Sequence, residues 1–332
     1  MNNNLFLISI IVTSYNIKKY IKEALESCFI QDYSNIELIC IDDGSDDGTF
    51  ELILDIIKNE TRIKQIILSK KENGGPNSAR KEGLKYANGD YIFFMDGDDI
   101  LPANSISSLA NELNDQLYDI VFAPFKIITS KKNDSKIFNY NITKGSSGIK
   151  ALETYIYKPK AIWGKLIKRS LFIDNNIDYA LDFKIGEDAA LMTQLLYYSN
   201  SISECRNIAY IYRAQRINSL YSQYGNNNNY TYILPSVLFI SNYFKNNNLT
   251  NNPIYFNYFH SFIYRYLIDK KNINNNDKDI QTIINNIPFK IIPKKDKITI
   301  ILYLLSKNNI KLGRLFLLCI EKCIEYKRKI IK

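Results

Sequence analysis

The chain has 332 residues, 46% of them hydrophobic, and a net charge of +9, which provides enough apolar side chains for one large domain or two smaller ones. A single histidine, His260, excludes a His-rich zinc site and argues against a Ser-His-Asp triad, so we expect any general base to be a carboxylate. The net positive charge comes from residues 287–332, which hold 12 Lys/Arg and 3 Asp/Glu, whereas the first 286 residues hold 31 of each sign. A basic nucleic-acid-binding protein would carry its charge across a domain face, so we expect no nucleic-acid partner.

The first 125 residues alternate between strand and helix patterns. Strands are predicted over Leu7–Thr13, Ile36–Ile41, Ile63–Leu68, Tyr91–Met95 and Ile120–Ala123, and helices over Ile17–Phe29, Phe50–Ile57, Ser78–Ala87 and Ser105–Leu113. This order predicts an α/β fold with a mostly parallel, Rossmann-like sheet that is flanked by helices on both faces. Ligands of such sheets bind at the carboxyl ends of the strands.

The remainder of the chain is less regular in its pattern. Residues 126–185 are predicted to be irregular, with a possible hairpin around Lys131–Ser135, before a helix that begins near Glu187 and a strand over residues 202–213. From about residue 221, Asn-rich breaks separate Tyr-, Phe-, Ile- and Leu-rich stretches that are typical of helices. We therefore predict a first domain over residues 1–220 and a mainly helical C-terminal region over residues 221–332.

The stretch YIFFMDGDDILP, residues 91–102, places three carboxylates directly after a buried strand. Asp96, Asp98 and Asp99 repel one another there unless a cation or hydrogen-bond donors compensate them. Hard oxygen ligands on a short loop suit Mg²⁺ or Mn²⁺, usually shared with a substrate phosphate. The pattern therefore indicates a divalent metal bound over a nucleotide diphosphate, and the alternative is an acidic helix cap.

A second acidic stretch, IDDGSDDGT at residues 41–49, invites comparison with a calcium-binding loop. Counted from Asp43, the third position is Ser45 and the twelfth is Leu54 instead of Glu, and no helix is expected before it, so we reject calcium binding. As a strand-to-helix turn, the stretch can direct one aspartate into the cleft to accept a hydrogen bond from a base or a ribose. Helix capping is the alternative for Asp46, Asp47 and Thr49.

Four segments, in this order, resemble the signatures of family 2 glycosyltransferases: SIIVTSYN (9–16), IDDGSDDGT (41–49), NGGPNSARKEGLKYANGDYIFFMDGDD (73–99) and GED (186–188). Those enzymes have the GT-A fold and take sugars from nucleotide diphosphates, and the resemblance covers about residues 6–220. It implies a GT-A catalytic domain over residues 1–220. No Gly-x-Gly-x-x-Gly or P-loop motif is present, so a metal and cationic side chains would have to stabilise the departing diphosphate.

The resemblance also assigns donor-side roles to individual residues. They are Thr13 and Tyr15 lining the nucleobase pocket, Asp43 bonding the base (typically uracil), Arg80 reaching the nucleotide or its phosphates, Asp96 at the ribose side of the donor, and Asp98 on the metal. The expected metal is Mn²⁺ or Mg²⁺, held by Asp98 together with Asp96, and Asp99 is a candidate for assisting them.

The same resemblance makes Asp188 the general base, with Glu187 as the nearest competitor. One base without a paired nucleophile predicts single displacement with inversion, because the acceptor hydroxyl attacks the anomeric carbon directly. A helix cap is the structural alternative for Asp188. The resemblance implies a UDP-sugar donor and a surface-glycan or lipid-linked acceptor. A catalytically inactive nucleotide-sugar-binding module is the main competing function.

Four further residues have weaker assignments. Trp163 and Lys165, in AIWGKLIKR, resemble an acceptor-side segment of the family. An indole face can stack on a sugar ring, although a buried structural tryptophan is an equal alternative. The segment YIYRAQRINSL (210–220) resembles a family segment near the donor phosphates, in which many members carry a histidine at the position that matches Arg216. Arg216 could therefore neutralise the diphosphate directly, as could Arg213.

The C-terminal residues 311–332 combine an apolar helical stripe with seven basic side chains. Such a helix can lie on an anionic bilayer, which would suit lipid-linked substrates, or it can pack on its own domain. No run of about 18 apolar residues occurs and the N-terminal stretch lacks signal-peptide features, so no membrane-spanning helix is predicted. A cytoplasmic location follows as the expectation, with possible peripheral contact at the inner face of the cell membrane.

Overall fold

The computed structural model describes residues 6–114, 116–129, 135–155, 160–179, 183–214, 230–268, 277–288, 291–292 and 297–317. The chain divides into two compact units, Met1–Asn226 and Asn227–Lys332.

The first unit is built around a seven-stranded sheet. Its strands are β1 (Ile8–Ser14), β2 (Ile36–Asp42), β3 (Gln65–Lys70), β4 (Tyr91–Asp96), β5 (Ile120–Phe122), β8 (Lys165–Lys168) and β9 (Ile202–Glu204), in the spatial order β3-β2-β1-β4-β8-β5-β9. β8 runs antiparallel to β4 and β5, and the other neighbouring pairs are parallel. The predicted mostly parallel sheet is therefore confirmed.

Seven helices belong to the described part of this unit. They are α1 (Lys18–Phe29), α2 (Thr49–Ile57), α3 (Pro76–Tyr86), α4 (Ser105–Ala110), α5 (Gly148–Tyr155), α6 (Arg169–Asp174) and α7 (Glu187–Tyr198), and a short 3₁₀ helix spans Asn111–Asn114. α3 lies very close to the sheet, because a Cβ on Gly83 would stand 2.5 Å from Cγ2 of Ile11. β1 and β2 are buried along almost their whole length, which explains their nearly continuous apolar sequences.

A second, three-stranded sheet follows the order β10-β6-β7, with β6 at Phe125–Ile128, β7 at Ser135–Phe138 and β10 at Tyr210–Arg213. β6 and β7 pair antiparallel, as the predicted hairpin requires, while the turn at residues 130–134 lies outside the described residues. β6 and β10 pair in parallel.

Two sequence predictions for the first unit are wrong. The strand predicted over residues 202–213 is two strands, β9 and β10, in different sheets. β9 pairs with β5 and β10 pairs with β6, and Pro124 lies between β5 and β6. Proline has no N–H to donate to a strand ladder. Residues 126–185 are also not irregular, because they contain β7, α5, β8 and α6 and most of β6. Their short lengths, between four and eight residues, hide the periodicity.

The second unit is helical in its described part, as predicted for the C-terminal region. It contains α8 (Tyr230–Asn246), α9 (Pro253–Ile268), α10 (Asp277–Asn285) and α11 (Lys297–Asn308), a 3₁₀ helix at Leu249–Asn251, and a final helical run over residues 310–317. Aromatic rings of α8 and α9 contribute to its core, where Phe244 packs against Tyr255 and Phe259. None of the helices within the described ranges has both the length and the apolar character needed to cross a bilayer.

Candidate functional site

The polar residues that follow β1, β2 and β4 meet at one edge of the large sheet. The three strands are parallel neighbours, with Ser14 beside Asp42 and Thr13 beside Asp96. The backbone N–H of Asp43 donates to the Ser14 carbonyl at 2.8 Å, which joins the strand tips directly. The sequence prediction that these segments converge is therefore confirmed.

An acidic cluster of Asp96, Asp98 and Asp99 forms the centre of this edge, with one carboxylate oxygen from each lying within 4.8 Å of the others. Asp98 and Asp99 are buried, whereas the side chain of Asp96 is 31% exposed. Asp99 accepts hydrogen bonds from the Tyr210 hydroxyl and the Arg213 amide, both at 2.8 Å. Burial, together with the charge of Asp96, raises the pKa of Asp99 well above its usual range despite these bonds. Hard oxygen ligands at this spacing fit Mg²⁺ or Mn²⁺, so the predicted pair of Asp96 and Asp98 is compatible with a metal site.

Arg80 connects the acidic cluster to the predicted general base. Its guanidinium is buried and bonds Asp188 at 2.5 Å and Asp96 at 3.0 Å. Burial alone would lower the pKa of Arg80, but the charges of Asp188 and Asp96 outweigh it and raise that pKa above its usual value. Arg80 was predicted to reach the nucleotide or its phosphates. The structure places it between two carboxylates and pairs it with both.

The two acidic residues of the GED segment begin α7. Gly186 precedes them with φ of +88°, a conformation that favours glycine. One oxygen of Asp188 bonds Arg80, and the other accepts a hydrogen bond from the Ile162 amide at 3.2 Å. Burial raises the pKa of Asp188 although Arg80 opposes this shift. The pKa of Glu187 is raised to about 7 by burial and by the charge of Asp188.

The predicted nucleobase side of the site is built around Asp43. Its carboxylate accepts a salt bridge from Lys71 at 2.8 Å and hydrogen bonds from the amides of Gly74 and Gly75. Tyr15 stands 50% exposed on the adjoining turn, and Thr13 is partly buried. A base that bonded Asp43 would share the carboxylate with these donors. Farther along the same turn, the carboxylate of Asp47 caps the start of α2, as the capping alternative predicted.

Trp163 and Lys165 lie inside the fold. Trp163 is 6% exposed and stacks on Tyr210 at 4.3 Å and on Tyr212 at 5.4 Å between ring centroids. Lys165 is fully buried, and its ammonium bonds the carbonyls of Ala161 and Trp163 and the hydroxyl of Tyr140. In this conformation neither side chain offers an open face to an acceptor, and Trp163 matches the alternative of a buried structural tryptophan.

Several residues near the candidate site are not predicted by the sequence. Lys71 pairs with Asp43, Asn77 bonds both Arg80 and the Tyr179 carbonyl, and Tyr210 bridges Asp99 and the Asp96 amide. Asn77 and Tyr210 stand within the quoted motif segments, but their spacing alone gives no role. Arg216 lies outside the described residues. Arg213 bonds the Asp98 carbonyl and Glu23 and packs over the ring of Tyr20.

Comparisons with known proteins agree with this architecture. The family model described as glycosyl transferase family 2 matches residues 9–173. EpsJ, an uncharacterized glycosyltransferase of Bacillus subtilis, is 32% identical over 218 residues, which cover 62% of this chain and 61% of EpsJ. Across three curated relatives compared, the match spans between 31% and 61% of the relative's own length.

Solved structures resemble the chain over nearly its whole length. S. aureus TarS 1–349 in complex with UDP-GlcNAc has a TM-score of 0.74 at 20% identity, covering 95% of this chain and 91% of that one. The mannosyltransferase PcManGT from Pyrobaculum calidifontis, in complex with GDP-Man and Mn²⁺, has a TM-score of 0.54 at 15% identity, covering 95% and 86%. At these identities the likeness concerns the fold, which is the GT-A fold that the sequence predicts.

Proposed function

Because the chain belongs to glycosyl transferase family 2, we propose that it transfers one hexose-type sugar from a UDP-sugar donor to a hydroxyl group, with inversion. The observation that carries this proposal is the continuous link from the acidic cluster through Arg80 to Asp188. In this proposal the acidic cluster binds the cation that accompanies the diphosphate, and Asp188 accepts the proton of the acceptor hydroxyl. Sugar transfer needs both functions. The acceptor we propose is a surface glycan or a lipid-linked glycan.

The donor lies across the strand tips in this proposal. Thr13, Tyr15 and Asp43 receive the nucleobase, and the binding of UDP-GlcNAc by TarS, which has the same fold, supports a UDP-linked sugar. Asp96 and Asp98 hold Mn²⁺ or Mg²⁺, and the Mn²⁺ of PcManGT supports this metal. A divalent ion at this place supplies positive charge for the departing diphosphate. Arg216 is proposed to add to it.

Asp188 acts as the general base of the transfer. The acceptor oxygen forms a bond to the anomeric carbon while the carbon–oxygen bond to the diphosphate breaks, and the electron pair of that bond leaves with the phosphate oxygen. The hydroxyl proton passes to Asp188. Burial raises the pKa of Asp188 and thus makes it a stronger base, whereas the ion pair with Arg80 keeps it ionised. Glu187 is adjacent and remains the second candidate for this role.

The start of the C-terminal tail supports a peripheral membrane contact. Leu312 and Leu315 are 46% and 59% exposed, beside the basic residue Lys311, while Leu317 is buried and Arg314 turns inward to bond Asp277. We propose that this exposed apolar side, together with the basic residues that follow, rests on an anionic bilayer. Flotation with anionic liposomes should fall when residues 311–332 are removed, and equal flotation of both chains would reject the contact.

Calorimetry with UDP and Mn²⁺ tests the donor site, and UDP release from a panel of UDP-sugars tests turnover. We expect UDP to bind, and Asp98→Asn to lose the Mn²⁺-dependent part of that binding. Asp55→Asn, an exposed change on α2, is the matched control. If no nucleoside diphosphate binds with Mn²⁺ present, the proposed function is rejected. Binding without turnover of any sugar would favour the inactive binding module.

A further inference from the structure

We propose that Lys165 is a positioning residue for the general base, acting through the Ala161–Ile162 peptide that it shares with Asp188. This inference rests on the proposed function and deepens it. Lys165 is fully buried, so the role proposed for it is indirect and needs no contact with donor or acceptor. It fixes the backbone group that orients the Asp188 carboxylate.

The link runs through a single peptide unit. The Lys165 ammonium donates to the Ala161 carbonyl at 2.8 Å, and the N–H of the same peptide, on Ile162, donates to Oδ2 of Asp188 at 3.2 Å. In a trans peptide the carbonyl and the N–H point in opposite directions. The cation therefore lies at the negative end of the peptide dipole and the carboxylate at its positive end, so each strengthens the interaction of the other.

Asp188 is thereby held at both oxygens. Arg80 bonds Oδ1, and the Ile162 amide bonds Oδ2. With both contacts made, the plane of the carboxylate is fixed relative to the acidic cluster. Loss of the second contact would leave Asp188 paired with Arg80 but able to rotate.

Lys165 is itself firmly held. Its ammonium also bonds the Trp163 carbonyl and the Tyr140 hydroxyl, both at 3.1 Å, and it lies 4.6 Å from the centre of the Tyr140 ring. Its backbone begins β8, where it pairs with Phe122 of β5. A fully buried ammonium is costly, and an apolar side chain of similar size would avoid that cost. The ammonium donates to the carbonyls of Ala161 and Trp163, on either side of Ile162. Packing alone would not require a hydrogen-bond donor at this position.

The test compares Lys165→Met with Lys168→Met, a change of the same kind at the exposed end of the same strand. We would measure UDP affinity with Mn²⁺ and the kcat and KM for hydrolysis of the UDP-sugar that the wild type turns over, UDP-GlcNAc first. We expect Lys165→Met to keep UDP affinity and KM within about 3-fold and to lose roughly 10-fold or more in kcat. Lys168→Met should match the wild type.

A double-mutant cycle separates positioning from general loosening of the fold. In an Asp188→Asn background, Lys165→Met should cost little further kcat, because the group through which Lys165 acts is already disabled. A wild-type kcat in folded Lys165→Met, or a full additional loss in the Asp188→Asn background, would overturn the inference while leaving the proposed function standing. Absence of UDP binding by the wild type would instead reject the proposed function.

If Lys165→Met fails to bind UDP, Tyr140→Phe decides the question. It keeps the ring and removes only the hydroxyl that accepts a hydrogen bond from Lys165. A fall in kcat of about 2-fold to 5-fold at unchanged UDP affinity supports the positioning role, and an unchanged kcat contradicts it.

Discussion

Replacing Arg80 with methionine should destabilise the protein strongly, because it leaves two carboxylates without their cationic partner. Arg80 is 2% exposed and bonds both Asp96 and Asp188. Removing one partner of a buried ion pair typically costs about 3–5 kcal/mol, since the remaining charge stays buried without compensation. A domain of roughly 200 residues loses about 2–4 °C of melting temperature per kcal/mol, so we expect a decrease of roughly 6–20 °C.

The loss of stability caused by Arg80→Met should also depend on pH. Arg80 opposes the rise in the pKa of Asp188 that burial causes, so without Arg80 that pKa rises further. The folded variant then binds protons at a higher pH than the folded wild type does. The difference in stability should therefore be largest at neutral pH and shrink as the pH falls.

Thermal unfolding followed by circular dichroism between pH 5 and 8 measures both effects. The control is Lys85→Met on the same helix, which removes an ion pair with Glu82 whose lysine is 62% exposed, and it should leave the stability nearly unchanged because water screens such a pair. A decrease of less than about 2 °C for Arg80→Met at pH 7, or one that does not change with pH, would refute the reasoning.

Three further predictions follow from the site. Asp188→Asn should keep UDP binding but reduce sugar transfer about 10²- to 10⁴-fold, and unchanged UDP release would exclude Asp188 as the base. Gly164→Ala should destabilise by about 1–2 kcal/mol in denaturant titrations, because φ there is +69° and the new Cβ would stand 3.2 Å from its neighbour; Gly145→Ala, with φ of +77° and open space, should cost less. Burial lowers the pKa of Lys165 to about 7, so the unfolded chain binds this proton at higher pH than the folded one. Relative to Lys165→Met, the wild-type free energy of unfolding should therefore rise by up to roughly 1.4 kcal/mol per pH unit between about pH 7 and 10, and a flat difference would contradict the lowered pKa of this buried side chain.

The sequence predicts the first half of the fold well because its elements are regular and buried. β1, β2 and β4 are runs of apolar, often β-branched residues that end at polar clusters, and parallel strands bring those clusters together. The later elements are not predicted because they depend on partners distant in sequence. β8 has only four residues, and it forms a strand because β4 and β5 lie on either side of it.

The sequence also predicts some features of the candidate site and misses others. Residue type and position at a strand tip point to Asp96 and Asp98 as candidate site residues from the sequence alone. The environment of Lys165 and Trp163 cannot be read from AIWGKLIKR, because their burial comes from residues distant in sequence: Phe122, Phe125, Tyr140 and Tyr210. The position of Arg80 is likewise set by Asp188, which is 108 residues away along the chain.

The hydroxyl of Tyr210 spans Asp99 and the Asp96 amide, yet its strand β10 pairs laterally with β6 of the small sheet. Ile211, on the same strand, forms a bridge with Ile100 just after the acidic cluster. A chimera that exchanges the β6–β7 hairpin between relatives would therefore pair β10, which supports the aspartates, with a β6 strand of different sequence. Successful grafts should transplant both chain segments together, even though more than 70 residues of sequence separate them.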